Sequence, residues 1–253
     1  MGSRLEIFKF IIIISGAFLA AGCVTIYNPA TQKRETLLID TQSEVALGKD
    51  MDRQIRRRMK ISGNLYMGQR LQRIAQRIAQ ASDRQDLEYH FAIVDDKDLN
   101  AFAIPGGFIY VNTGLMNTAG DDELACVLAH EIGHVAARHS VKKMQAVMGY
   151  QLIMNIALGL GGNQQAYRAV DTMFDILSLG YSRQDETLAD KLAVKYAKRA
   201  GFNPYGMITF FKKLQAEAQK KGGILPIEIF SSHPDIETRI KNVENEIAQT
   251  IVP

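Results

Sequence analysis

The chain has 253 residues, 47% hydrophobic and 23% charged, with a net charge of +3, which is ordinary globular composition and enough length for one sizeable domain. Thirty basic residues nearly balance 27 acidic ones, a balance that argues against nucleic acid as a partner. The basic residues cluster once, at Arg53, Arg56, Arg57, Arg58 and Lys60, where a solvated helix face is the plain reading and contact with anionic lipid the alternative.

The N-terminus reads as an export signal. Arg4 and Lys9 precede an apolar run from Phe10 to Ala21 that is short for a bilayer span. It ends in "AAGC", with Cys23 placed as in a bacterial lipobox, although the usual Leu stands one position early, at Leu19. Cleavage there leaves a diacylated Cys23 and a membrane anchor; a plain signal peptide and an uncleaved anchor are the alternatives. Val24 rather than Asp follows, which by analogy with enteric bacteria favours the outer membrane of a periplasmic protein. The expected division is a signal peptide over 1–22, a polar, irregular lipidated tether over 23–40 and a compact domain over 41–253. With Cys23 lipidated, Cys126 has no disulfide partner in the chain.

Helical periodicity spans Gln42 to Met59 and Leu65 to Ala81. Alternation over Leu87 to Asp96 predicts a strand. Asn100 to Met116 predicts a strand pair around Pro105-Gly106-Gly107, followed by a turn at Asn112 to Gly114. "DDELACVLAHEIGHVAARHSVKKM" reads as one helix, with acids in its first turn and bases toward its end. Gly149 to Gly162 is apolar and glycine-punctuated, a buried helical hairpin or a mobile flap. Asp171 to Tyr181, Asp185 to Ala200, a stretch from Pro204, and Asp235 to Ile251 are predicted helical, with a loop at Gly222-Gly223.

The chemistry concentrates at His130, Glu131 and His134. On a helix the two histidines stand one turn apart on one face, so both imidazoles reach one ion, and Glu131 is displaced toward a metal-bound water. Cys126 shares that face a turn earlier and reads as a small buried residue. His139, five positions past His134 on a continuing helix, points away. The third ligand therefore comes from another segment, and "SRQDETLAD" offers Glu186, with Asp190 four residues on to accept the outer N–H of a ligand histidine; Asp185 is the competitor. Tyr181, Arg239 and His233 are candidates for an oxyanion donor, and Arg183 for a structural partner of nearby acids. Gly107, Phe108, Ile109, Tyr110, Val111 and Asn112 form a candidate substrate strand, provided that strand is a sheet edge able to pair with an extended peptide.

"HEIGH", "YSRQDETLAD", "NAFAIPGGFIYVNTGL" and "SSHPDIETRI" resemble the zinc metalloendopeptidase family that includes HtpX, the CAAX prenyl proteases and the mitochondrial inner-membrane protease Oma, over about Gln42 to Ile247. The resemblance implies an α+β fold, a mainly helical gluzincin domain with a small sheet beside the active-site helix. It implies one zinc on His130, His134 and Glu186, with Glu131 catalytic and Asp190 behind a ligand. It also places His233 near the metal, as a fourth ligand that shuts the site or as an oxyanion donor. The implied activity is cleavage of unfolded or misassembled envelope proteins by a zinc-bound water. A non-cleaving periplasmic chaperone using the same groove, and an envelope lipoprotein with a purely structural metal, are the alternatives.

Overall fold

The computed structural model describes residues 24–157, 180–220 and 236–251. Cys23, the signal segment, Gly222-Gly223, His233 and most of the expected Asp171 to Tyr181 helix lie outside them. A hairpin opens the chain, β1 (Val24–Asn28) against β2 (Lys33–Leu37). Two helices follow, α1 (Thr41–Arg58) and α2 (Leu65–Ala81). A three-stranded sheet comprises β3 (His90–Val94), β4 (Ala101–Ile104) and β5 (Phe108–Asn112). The rest is helical: α3 (Thr113–Thr118), α4 (Asp121–Ala136), α5 (His139–Ala157), α6 (Arg183–Arg199), α7 (Gly206–Lys220) and α8 (Ile236–Ile251). The fold is α+β and mainly helical. No helix among the described residues is long and apolar enough to cross a membrane.

Local chemistry sets the helix starts. Asp40 and Asn64 each accept a backbone N–H from the first turn that follows, Ser43 N at 2.7 Å and Met67 N at 3.0 Å, which satisfies donors no intrahelical carbonyl reaches. In α2, Leu71, Ile74 and Ile78 recur at helical spacing and are buried, each contributing roughly 2 kcal/mol by leaving water. The acids Asp121, Asp122 and Glu123 open α4, where they complement the helix dipole.

α4 is the centre of the molecule. From Glu123 to Ala136 every residue is buried, and the helix packs on α2, α6, α7 and β4. Its approach to α6 depends on Gly133, where a Cβ would stand 3.2 Å from both Ala189 O and Leu192 Cβ. A larger residue there pushes α6 away from the helix that carries His130 and His134.

Five expectations are corrected. Residues 24–37 form a docked hairpin instead of an irregular tether. Leu37 and Ala30 are buried, Asn28 Nδ2 donates to Ala136 O at 3.2 Å, and Lys142 pairs with Glu35 at 2.6 Å. The turn expected at Asn112 to Gly114 runs into α3. The long helix from Asp121 breaks at Ala137 and Arg138. Arg138 adopts φ +56°, a left-handed conformation that ends α4, and α5 restarts at His139 in a new direction; Gly149 to Ala157, expected as a separate hairpin or flap, continues α5. Finally, the sheet order is β3-β5-β4, so Phe108 to Asn112 is the central strand, parallel to β3 and antiparallel to β4. It cannot serve as an edge for a peptide. β3 and β4 are the two edges of this sheet; β3 carries an isolated bridge from Val94 to Ile61, and β4 is the edge strand that packs on α4.

Candidate metal centre

His130 and His134 project from α4 with their Nε2 atoms 3.0 Å apart. Glu186, in the first turn of α6, reaches both, Oε2 lying 3.5 Å from His130 Nε2 and Oε1 3.3 Å from His134 Nε2. All three side chains are buried, and one donor atom from each converges on a common point. α6 holds Glu186 there through its own cap: Ser182 Oγ accepts Asp185 N, and Asp185 Oδ2 accepts from Ser182 N. Asp185 is thereby engaged at the cap and is not among the converging donors.

The outer nitrogens of both histidines are occupied. His130 Nδ1 lies 2.9 Å from Asp190 Oδ1. Arg239, on α8, clamps the same carboxylate with Nε at 2.9 Å and Nη2 at 2.6 Å, and its Nη1 lies 3.1 Å from Glu186 Oε2. Burial pushes Asp190 up, but the Arg239 charge and hydrogen bonds hold it below the ordinary carboxylate range. Burial and that same guanidinium push His130 down. A neutral imidazole donating Nδ1–H to an ionised Asp190 leaves the Nε2 lone pair for a metal.

On the other side of the site, Tyr181 stacks on His134 with centroids 4.0 Å apart, and its hydroxyl meets Ser140 Oγ at 2.9 Å. Burial keeps that phenol protonated. Of the other expected residues, Arg239 is committed to Asp190 and Glu186, Arg183 is exposed on α6, and Cys126 is buried at the α7 side, 3.5 Å from Asn203 O. Glu131 is buried and lines a cavity of about 40 Å³ with His130 and Arg239; its apolar wall includes Leu99, Val127, Met207, Phe210 and Leu214.

The donor set fits a divalent cation of zinc type. Two imidazole nitrogens and a carboxylate oxygen are zinc ligands in a three-residue site with room for a further ligand. Charge agrees. Glu131, Glu186 and Asp190 share this interior with one guanidinium, an excess of two formal negative charges that a dication cancels.

His139, expected to point away on a continuing helix, instead brings its Nδ1 to 2.9 Å from His134 Nδ1, and the clamping role of Arg239 has no counterpart in the sequence pattern. The five-residue spacing from His134 to His139 was visible; the helix break that turns it inward was not.

A family model described as Peptidase family M48 matches residues 67–247, from α2 to α8 and including every residue of the centre. The chain belongs to that family. It is 32% identical over 71% of its length to the mitochondrial metalloendopeptidase OMA1 of Schizosaccharomyces pombe, covering 53% of that protein. It is 26% identical over 89% of its length to the beta-barrel assembly-enhancing protease of Escherichia coli, covering 47% of it, and 28% identical over 72% to the metalloprotease YcaL of Escherichia coli, covering 70%. The chain thus spans about half the length of the first two relatives. The matched residues include the HExxH segment on the buried α4 and Glu186 in the first turn of α6.

Proposed function

We propose that this M48 chain is a zinc endopeptidase of the bacterial cell envelope, held to the outer membrane through a lipidated Cys23, that cleaves unfolded or misassembled proteins. The observation that carries the reading is the convergence of His130, His134 and Glu186 with both outer nitrogens already engaged, a site prepared for a metal and not an incidental pair of histidines. Zinc held there supplies a Lewis acid for the scissile carbonyl and lowers the pKa of a water to about 7. Glu131, beside the ligands and outside their set, takes the proton of the attacking water and passes it to the leaving nitrogen. Arg239 keeps Asp190 ionised and pairs with Glu186, and Tyr181 keeps the His134 ring in place.

Substrate recognition falls to β4. Its outer edge suits an extended peptide added as a further strand, a mode that reads main chain more than sequence. The apolar cavity next to Glu131, reached from the β4 end at Leu99 to Ala101, suits an apolar side chain next to the scissile bond. Unfolded proteins present both. The test is hydrolysis of reduced, unfolded casein by residues 24–253 with and without chelator, and by Glu131→Gln. Chelator-sensitive cleavage supports the reading; binding of the unfolded protein without cleavage by the zinc-loaded wild type would replace it with the chaperone alternative.

A further inference from the structure

We propose that His139 is a positioning residue of the metal centre: it accepts the Nδ1–H of His134, fixes that ring as the tautomer whose Nε2 lone pair faces the metal, and turns its own Nε2 toward Asp185. The inference rests on the metal-site reading above and extends it to a residue outside the ligand set.

A metal held by His134 Nε2 fixes the direction of the bond. His134 and His139 meet Nδ1 to Nδ1 at 2.9 Å, with both rings buried, so one nitrogen carries the proton and the other the lone pair. If His139 donated, the His134 proton would sit on Nε2, 3.0 Å from His130 Nε2 and 3.3 Å from Glu186 Oε1, where it would block a cation. His139 must therefore accept at Nδ1 and carry its own proton on Nε2. That nitrogen faces Asp185 Oδ1 at 3.4 Å, and Asp185, partly exposed, is pinned by Ser182 at the start of α6.

The two ligand histidines are backed differently for an electrostatic reason. Asp190 behind His130 brings a full negative charge, and Arg239 neutralises it. A carboxylate behind His134 as well would raise the buried excess above two, beyond what one dication cancels. A neutral imidazole supplies the acceptor without the charge.

The surroundings hold His139 in that position. Arg138, in its left-handed conformation, gives Nη1 to Glu44 Oε2 at 2.7 Å and Nη2 to Thr41 Oγ1 at 2.7 Å. Asn28 of the hairpin binds the Ala136 carbonyl just before the break. The turn that aims His139 is therefore fastened by α1 and by β1, not by the HExxH segment.

The test uses zinc retention of the full chain against a chelator of known affinity, in wild type, His139→Asn and His139→Phe. Asn places Oδ1 near the imidazole Nδ1 position and keeps an acceptor; Phe keeps the ring volume and removes it. Loss of an outer partner costs 10–100-fold in metal affinity, so Phe should lose at least tenfold while Asn stays within about threefold of wild type. Equal retention by Phe, or equal loss by Asn and Phe, overturns the inference. Should Phe fail to fold, nitrogen-15 imidazole spectra of the zinc-loaded wild type decide: a proton on His139 Nε2 supports it and a proton on His139 Nδ1 overturns it. A wild type that retains no zinc would instead refute the metal-site reading itself.

Discussion

Glu44 is the residue whose replacement should most damage the frame around the site. Its carboxylate is 2% exposed and accepts four bonds: Arg84 Nη2 at 2.6 Å and Arg138 Nη1 at 2.7 Å on Oε2, Arg84 Nη1 at 2.9 Å and Gly106 N at 3.2 Å on Oε1. Burial works to lower the Arg84 pKa, and the hydrogen bonds Arg84 donates to Glu44, together with the charges of Glu44 and Asp86, more than offset it. Glu44→Gln keeps the shape but turns an acceptor into a donor that faces two guanidinium groups. Breaking a buried pair by removing one charge costs about 3–5 kcal/mol. Here Asp86, about half exposed, remains near both arginines, which places the cost near the lower end, about 3 kcal/mol. That is a large share of the roughly 5–15 kcal/mol that stabilises a typical domain. Urea unfolding of the metal-free domain at pH 7 should show a lower midpoint at an unchanged slope. A loss below about 1 kcal/mol would mean that water reaches the cluster and that Glu44 does not hold the helix break.

Glu131→Gln should fold, bind zinc as wild type does and lose roughly 10²–10⁴-fold in peptide hydrolysis; cleavage at the wild-type rate excludes it as the base. Glu186→Ala should release zinc to a chelator that leaves the wild type loaded, and undiminished retention would remove Glu186 from the ligand set. Glu35 titrates below its ordinary value because hydrogen bonds from Lys142, Thr31 and Asn28 outweigh the burial that would raise it. A depressed carboxyl stabilises the fold above its unfolded pKa of about 4.3 and loses that contribution as pH falls through the folded value. The stability gap between wild type and Glu35→Gln should therefore be full at pH 6 and close toward pH 3; a pH-independent gap rejects the hairpin pin. Burial pushes the Cys126 thiol up to about 12, so in a Cys23→Ala background it should react with a thiol reagent only on unfolding, and rapid native-state labelling would contradict its place in the core.

What the sequence disclosed was local. Asp40 and Asn64 mark helix starts by side-chain chemistry, and His130/His134 and Glu186/Asp190 can be paired from the sequence because each spacing is set by a single helix. What it concealed depended on distant partners. Neither Gly nor Pro marks the break at Arg138; its left-handed backbone is held by Glu44, 94 residues away. The hairpin from Val24 turns a polar face outward and inserts little apolar surface, so its pattern resembles a tether. The edge position of β4 follows from a strand order that differs from chain order, and alternation carries no trace of that. Arg239 lies 49 residues from Asp190, and a lone arginine in an amphipathic C-terminal helix reads as solvated.

The centre draws on four helices, each with a separate task. α4 carries the two imidazoles and Glu131, α6 the third donor and Asp190, α8 the guanidinium that pairs with both acids of α6, and α5 the imidazole behind His134. None of these placements is independent of packing, because α4 is buried along its length and approaches α6 through Gly133. A cation at this point therefore has a structural effect as well as a chemical one. Without it, three carboxylates share a dry interior with one guanidinium; with it, the charges cancel and the ligands of α4 and α6 are joined. Binding free energy at such a site is also folding free energy. The residues that fasten the break before α5 belong to the same linkage: Glu44 and Arg138 hold the turn, the turn aims His139, and His139 sets the nitrogen that His134 offers to the metal.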